Sequence, residues 1–158
     1  MKNYKHFING QWTDPDTNEW FDTENPYTGK VWAKIAKGNS SDVNRAVISA
    51  KNAFENVWGI MKPTERGKYL VRLAEIIERE SSRLGELEVK DNGKLLAEMG
   101  SQTKYIAEWY RYYGGLADKI EGSVIPIDKN DMFNFTTYEP YGVCLLYTSP
   151  SPRDTRSS

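Results

Sequence analysis

The chain has 158 residues, 39% of them hydrophobic and 13% aromatic, and its 21 Lys and Arg against 22 Asp and Glu give a net charge of −1. This composition excludes a disordered chain, and without a basic excess a nucleic-acid-binding protein is not expected. Its one cysteine, Cys144, cannot form a disulfide within the chain and argues against a zinc cluster. The polar start is no signal peptide and no apolar run is long enough to cross a bilayer, so we expect a soluble, cytoplasmic protein without membrane contact.

The first 38 residues predict short β-strands joined by tight turns. Asn9-Gly10 lies between apolar residues, which is a β-hairpin signal. A second turn, at residues 25–30, separates Trp20-Phe21 from a branched and aromatic segment at 31–35. Each turn is therefore expected to join two antiparallel strands.

Four helices are predicted next. Ser40 or Ser41 is the expected N-cap of the first, whose apolar stripe recurs at steps of three and four from Val43 to Val57. Pro63 is expected to begin the second helix, which carries its apolar stripe opposite a charged face.

Ser81-Ser82 is expected to begin a shorter third helix that Asn92-Gly93 ends, because both of these residues tolerate a positive φ. The fourth helix is predicted from Leu96 to Ile120, and segments 123–127 and 133–138 are strand-like. Its predicted apolar stripe consists of Met99, Ile106, Trp109, Tyr110, Tyr113, Leu116, Ala117 and Ile120.

The last residues differ in character from the rest. Residues 148–158 contain no apolar side chain, a composition typical of a disordered tail or linker. Residues 144–154 can also be back-translated, codon by codon, into a transposon-end adapter used for short-read sequencing libraries. We therefore hypothesise that the reading frame leaves its gene after Val143, so that residues 144–158 are an artefactual, disordered tail and Cys144 is not natural.

Several phrases in order carry a family resemblance. They include FINGQW at 7–12, NPYTGKV at 25–31, DVNRAV at 42–47, MKPTERG at 61–67, DNGK at 91–94, YYGGLADKIEG at 112–122 and EPYGV at 139–143. Any one phrase is weak, but the ordered set at this spacing resembles the N-terminal third of the NAD(P)-dependent aldehyde dehydrogenase superfamily. The resemblance covers residues 5 to 143.

The resemblance implies an incomplete α/β fold. We expect β-hairpins and four helices from an incomplete Rossmann-like cofactor domain at residues 1–130, and the start of a β oligomerisation arm at 131–143. The complete protein would be a homodimer or homotetramer that oxidises an aldehyde to a carboxylic acid with NAD or NADP. The family's catalytic and cofactor-binding groups follow Val143, so none is assigned to this chain, which is predicted to be inactive and to bind no cofactor.

The same resemblance implies one structural cation site, for a monovalent or magnesium ion, at Thr23, Glu24 and Asp91. Hard cations prefer oxygen ligands, here backbone carbonyls and one carboxylate. In the alternative interpretation, Asp91 only caps the Asn92-Gly93 turn. A further ligand in relatives lies beyond this chain.

Other candidate sites have simpler interpretations. Cys144 as a nucleophile needs a base or cation beside it, and His6, the one histidine, is at the far end of the chain. The carboxylates Glu75, Glu78 and Glu80 are expected on a salt-bridged helix face rather than in acid–base chemistry. The aromatic residues of strands and helices are expected to pack in a core or an interface. The alternative function is a short, non-catalytic interaction or oligomerisation module of the same family.

Overall fold

The computed structural model describes residues 1–146. Within this range the chain forms seven short strands and four α-helices. The strands are β1 (Lys2–Tyr4), β2 (His6–Ile8), β3 (Gln11–Thr13), β4 (Trp20–Asn25), β5 (Lys30–Ala36), β6 (Val124–Ile125) and β7 (Asn134–Phe135). The helices are α1 (Ser40–Ala53), α2 (Pro63–Arg79), α3 (Ser81–Asn92) and α4 (Leu96–Leu116).

Both predicted β-turns are present. Strands β2 and β3 pair antiparallel around Asn9 and Gly10, whose φ values of 52° and 74° are those that a two-residue hairpin turn requires. Strands β4 and β5 pair antiparallel across the second turn. Strand β1 was not predicted, and it pairs parallel with β5, with Lys2 opposite Ala33, in a sheet of order β1-β5-β4.

Helix α1 begins one residue earlier than the predicted caps. Asn39 is the N-cap, and its side-chain oxygen accepts a hydrogen bond of 2.9 Å from the Asp42 N–H. The Asp42 carboxylate in turn accepts from the Asn39 N–H at 3.1 Å, which completes a capping box. The prediction of Ser40 or Ser41 was wrong because a serine hydroxyl there lacks this reciprocal partner. A π-helical turn, Phe54–Trp58, follows α1.

Helices α2, α3 and α4 pack against one another. Helix α2 begins at Pro63 and α3 ends before Gly93, whose φ is 76°, as predicted. Helix α4 ends at Leu116 rather than at Ile120, where turns replace the helix. Its buried residues are Met99, Thr103 and Ala107.

The predicted apolar stripe of α4 is therefore only partly buried. Met99 is buried and three other members are half-buried, whereas Ile106, Trp109, Tyr113 and Ile120 are exposed. Met99, Thr103 and Ala107 are the buried residues of α4, and Gly114 lies against Gly67 of α2. Trp109 and Tyr113 lie on exposed sides of the helix.

The buried core is small. Among the described residues the buried hydrophobic side chains are those of Ala33, Ala36, Ala74, Met99 and Ala107. The predicted stripe of α1 is exposed, with Val43 at 56% and Val47 at 46%, and Asp42 is the buried residue of this helix. Amphipathicity therefore predicted the helix correctly but not its burial within this chain, because no described element covers that face.

The C-terminal strands are shorter than predicted. Strands β6 and β7 hold two residues each, with Val124 opposite Phe135, and both are exposed. Of the predicted tail, residues 147–158 lie outside the described part of the chain. None of the described helices is long and apolar enough to cross a membrane.

Candidate functional site

The predicted cation site lies where β4 meets the C-terminal end of α3. The Thr23 hydroxyl donates a hydrogen bond to the Asp91 carboxylate oxygen Oδ1 at 2.6 Å, although the two residues are 68 positions apart. The register of β4 against β5 shifts between Thr23 and Glu24, as at a β-bulge. The structure therefore brings two of the three predicted residues together beside an irregular stretch of strand.

The turn after α3 packs beside the contact between Thr23 and Asp91. Gly93 lies against Pro26, and a β-carbon placed on Gly93 would be 3.1 Å from the Pro26 Cβ. The side chain of Asn92 accepts a hydrogen bond from the Lys94 N–H at 2.9 Å, so Asn92 caps the turn. The alternative interpretation of Asp91 as the capping residue is wrong, since its carboxylate bonds to Thr23 instead.

Asp91 supplies the side-chain carboxylate of this junction. Glu24 is exposed, and within residues 1–146 no hydrogen bond or ion pair joins its side chain to Asp91. No cluster of three or more His, Cys, Asp or Glu side chains that could hold a metal occurs in this range. Any cation here would need backbone carbonyls beside the Asp91 carboxylate, and the residues present fit that donor set only in part.

A second polar junction, missed by the sequence interpretation, surrounds Asp42. This side chain is buried, and its carboxylate accepts hydrogen bonds from the Asn39 N–H, the Arg45 guanidinium and the Asp16 N–H. The His6 Nε2 atom lies 3.8 Å from Oδ2 of Asp42. Burial raises the pKa of Asp42, but the three hydrogen bonds outweigh burial and hold the pKa below its ordinary value.

The Asp42 junction therefore ties strand β2 and the β3–β4 connection to the start of α1. Each hydrogen bond that the structure gives the Asp42 carboxylate comes from the chain itself, which is the pattern of a structural group. The signal that could have revealed it is an Asn followed three residues later by an Asp, which is a capping-box spacing.

The helix carboxylates are held by cations, as predicted. Glu78 of α2 pairs with Arg111 of α4, and the hydrogen bond from Arg111 lowers the pKa of Glu78. Glu80 accepts from Arg83 at 2.9 Å and its pKa is likewise lowered, first by that hydrogen bond. A general acid at neutral pH needs a raised pKa, so these residues serve packing and solvation rather than proton transfer.

Cys144 lies in an exposed segment after the last strand. Its thiol contacts the Gly142 carbonyl oxygen at 3.7 Å and lines a cleft with Trp58 and Tyr141. Within the described residues this carbonyl is its hydrogen-bond partner, and a carbonyl oxygen does not activate a thiol.

Comparison with known proteins decides the family. The model of the aldehyde dehydrogenase family matches residues 12–149. The chain belongs to the aldehyde dehydrogenase family. The family expected from the ordered phrases is thus confirmed, as is the fold class.

The similarity to individual relatives is extensive but covers only part of them. The chain is 46% identical over 144 residues to (Z)-2-((N-methylformamido)methylene)-5-hydroxybutyrolactone dehydrogenase of Acinetobacter baylyi, covering 90% of this chain and 29% of that protein. It is 43% identical to mitochondrial aldehyde dehydrogenase of Rattus norvegicus, covering 87% and 27%. An NAD⁺ complex of aldehyde dehydrogenase from Bacillus cereus superposes with a TM-score of 0.82 at 36% identity, covering 88% and 28%. The chain thus spans less than a third of the length of these proteins.

Proposed function

We propose that this chain is the N-terminal part of an aldehyde dehydrogenase that oxidises an aldehyde to a carboxylic acid with NAD or NADP. The observation that carries the proposal is the family match at residues 12–149, set against coverage of 29% of the Acinetobacter baylyi relative. The NAD⁺ complex of the Bacillus cereus relative supports a nicotinamide cofactor for the complete protein.

The surface of the chain supports the same proposal on physical grounds. The chain exposes 12937 Å², whereas a compact monomer of 18.1 kDa exposes about 8,100 Å². The excess of about 4,800 Å² is more than the twelve residues beyond 146 could supply. Within residues 1–146, four of the five buried hydrophobic residues are alanines, so these helices pack on one another without the large apolar core that a domain of this length forms.

The same proposal assigns roles to the segments. Residues 1–130 supply strands and helices to the cofactor domain, and residues 131–143 begin an arm that joins subunits of a homodimer or homotetramer. The adapter hypothesis for residues 144–158 is tested by the nucleotide sequence at codon 144 in intact genomic DNA. A natural gene that encodes residues 144–158 would overturn it.

The function is tested with two proteins. The first is the intact enzyme encoded by the genomic locus, and the second is the 158-residue chain. With a panel of aldehydes and either NAD or NADP, we expect the intact enzyme to form reduced cofactor and the chain to form none. An inactive intact enzyme would overturn the family activity, and turnover by the chain alone would overturn its assignment as an inert part.

A further inference from the structure

The dipeptide Asn-Gly occurs twice in the chain, and the structure holds the two copies in different ways. An asparagine followed by glycine is prone to spontaneous loss of its side-chain amide, because glycine has no side chain to shield its backbone nitrogen. The first copy is Asn9-Gly10 in the β2–β3 turn, and the second is Asn92-Gly93 at the end of α3. The two sites therefore share the same reacting groups, and their surroundings distinguish them.

The Asn9-Gly10 turn leaves its reacting groups free. Both residues are exposed, and a β-carbon placed on Gly10 would have no atom within 4 Å. Within residues 1–146, the structure shows no hydrogen bond from the Asn9 side chain or from the Gly10 N–H. The flanking strands hold three residues each, so the turn can open locally at a small cost in free energy. Both solvent and backbone motion therefore reach this site.

The Asn92-Gly93 pair is held by three hydrogen bonds. The Gly93 N–H donates to the Val89 carbonyl oxygen at 2.9 Å. The Asn92 side chain donates from Nδ2 to Oε1 of Glu88 at 2.7 Å, and its Oδ1 accepts from the Lys94 N–H at 2.9 Å. Loss of the side-chain amide removes both the Gly93 N–H and the Asn92 NH₂ group, so the reaction has to break the first two of these bonds.

We propose that Asn9 is a site of spontaneous deamidation and that Asn92 is protected from the same reaction. The Gly10 nitrogen gives its proton to base and bonds to Cγ of Asn9. The C–N bond to the NH₂ group breaks, ammonia leaves, and a five-membered succinimide ring remains. Water then opens one of the two ring C–N bonds, which gives aspartate or isoaspartate at position 9. The net reaction consumes one water molecule and releases one ammonia, without oxidation or reduction.

The isoaspartate product changes the hairpin. It routes the main chain through the side-chain carbon, and so adds a CH₂ group to a two-residue turn whose length fixes the register of β2 against β3. We therefore expect the isoaspartate form to lose the pairing of His6 with Thr13, seen as faster amide exchange in both strands. Asn9→Asp introduces the same charge but keeps the main-chain length, so it should retain this pairing.

The test follows both asparagines in one sample of the 158-residue chain. The chain is incubated in mildly alkaline buffer and digested, and mass spectrometry measures the replacement of NH₂ by OH at each site, with N9D as the standard for the aspartate product. We expect Asn9 to react at least about tenfold faster than Asn92, since two hydrogen bonds slow the second site. In urea that unfolds the chain the two rates should become similar. Equal rates in the folded chain overturn the inference, and so does a difference that persists in urea.

A pair of variants tests the cause of the protection. Glu88→Ala removes the acceptor of the Asn92 NH₂ group, whereas Glu86→Ala removes an exposed carboxylate from the same helix and leaves that hydrogen bond in place. We expect Asn92 to react about threefold faster in E88A than in E86A, with the rate at Asn9 equal in both. Circular dichroism checks that both variants keep the helix content of the unchanged chain. Equal rates at Asn92 in the two variants would contradict protection by this hydrogen bond.

Discussion

Gly67 of α2 and Gly114 of α4 meet backbone to backbone. A β-carbon placed on Gly67 would lie 2.5 Å from the Gly114 carbonyl oxygen, and one placed on Gly114 would lie 3.0 Å from the Gly67 carbonyl oxygen. The neighbouring Gly115 has open space at the same position. The helix crossing therefore depends on one glycine of the Gly114-Gly115 pair and not on the other.

Gly114→Ala and Gly115→Ala should change stability in opposite directions. An added methyl group at 115 gains about 0.5–1 kcal/mol of helix propensity without a clash. At 114 it must displace backbone and Val71, at about 1–3 kcal/mol, so the net effect is destabilising. Urea unfolding followed by circular dichroism measures both, and two stabilised variants would show that the helices do not cross here.

Gly122→Ala should disrupt the β6–β7 pair. A β-carbon at residue 122 would overlap the Thr136 carbonyl oxygen, and Thr136 also donates its N–H to the Ser123 carbonyl at 2.9 Å. We expect amide exchange to quicken at Thr136. Glu121→Ala, at an exposed neighbouring position, is the control and should leave that exchange rate unchanged.

Acid should loosen the attachment of the N-terminal hairpin to α1. The pKa of Asp42 is lower when folded than when unfolded, so its contribution to stability is fully present above the unfolded value near 4 and is lost as pH falls through the folded pKa. We therefore expect the protection of the Asp16 amide from hydrogen exchange, followed from pH 6 to pH 2.5, to decrease once the pH is below about 4.

Two variants identify the carboxylate responsible. Asp42→Asn should abolish most of this acid dependence, because amide side chains do not titrate there. Asp14→Asn removes an exposed carboxylate that pairs with Lys5 in the same hairpin, and it should retain the dependence. The same acid profile in D42N as in the unchanged chain would contradict the assignment.

The predicted cation site at Thr23, Glu24 and Asp91 is tested by adding salts, since a bound ion would stabilise the chain in Na⁺, K⁺ or Mg²⁺. An ion at 100 times its dissociation constant adds about 2.7 kcal/mol to the free energy of unfolding. Asp91→Asn should remove the response specific to one of these ions, whereas Asp22→Asn, on the same strand, should keep it. If no salt stabilises the chain beyond choline chloride at equal ionic strength, Asp91 serves only as the acceptor for Thr23.

Single residues and short motifs in the sequence determined most of the boundaries of the strands and helices. Asn9-Gly10 encoded a hairpin, Pro63 began a helix, and Gly93 ended one, because each acts through its own backbone conformation or missing N–H. The N-cap of α1 was misplaced by the choice of serine over Asn39, although the capping-box spacing was legible in the sequence. The family could also be recognised from the sequence alone, because the order and spacing of the short motifs do not depend on contacts between distant residues.

Contacts between distant residues were decided only by the tertiary structure. The parallel pairing of β1 with β5, the hydrogen bond from Thr23 to Asp91 and the meeting of Gly67 with Gly114 join segments whose separation leaves no periodic trace in the sequence. Periodicity likewise identified the apolar stripe of α1 but not its exposure. The physical reason is that a stripe records which side of a helix can pack, whereas burial requires a partner surface, and the described residues place none there.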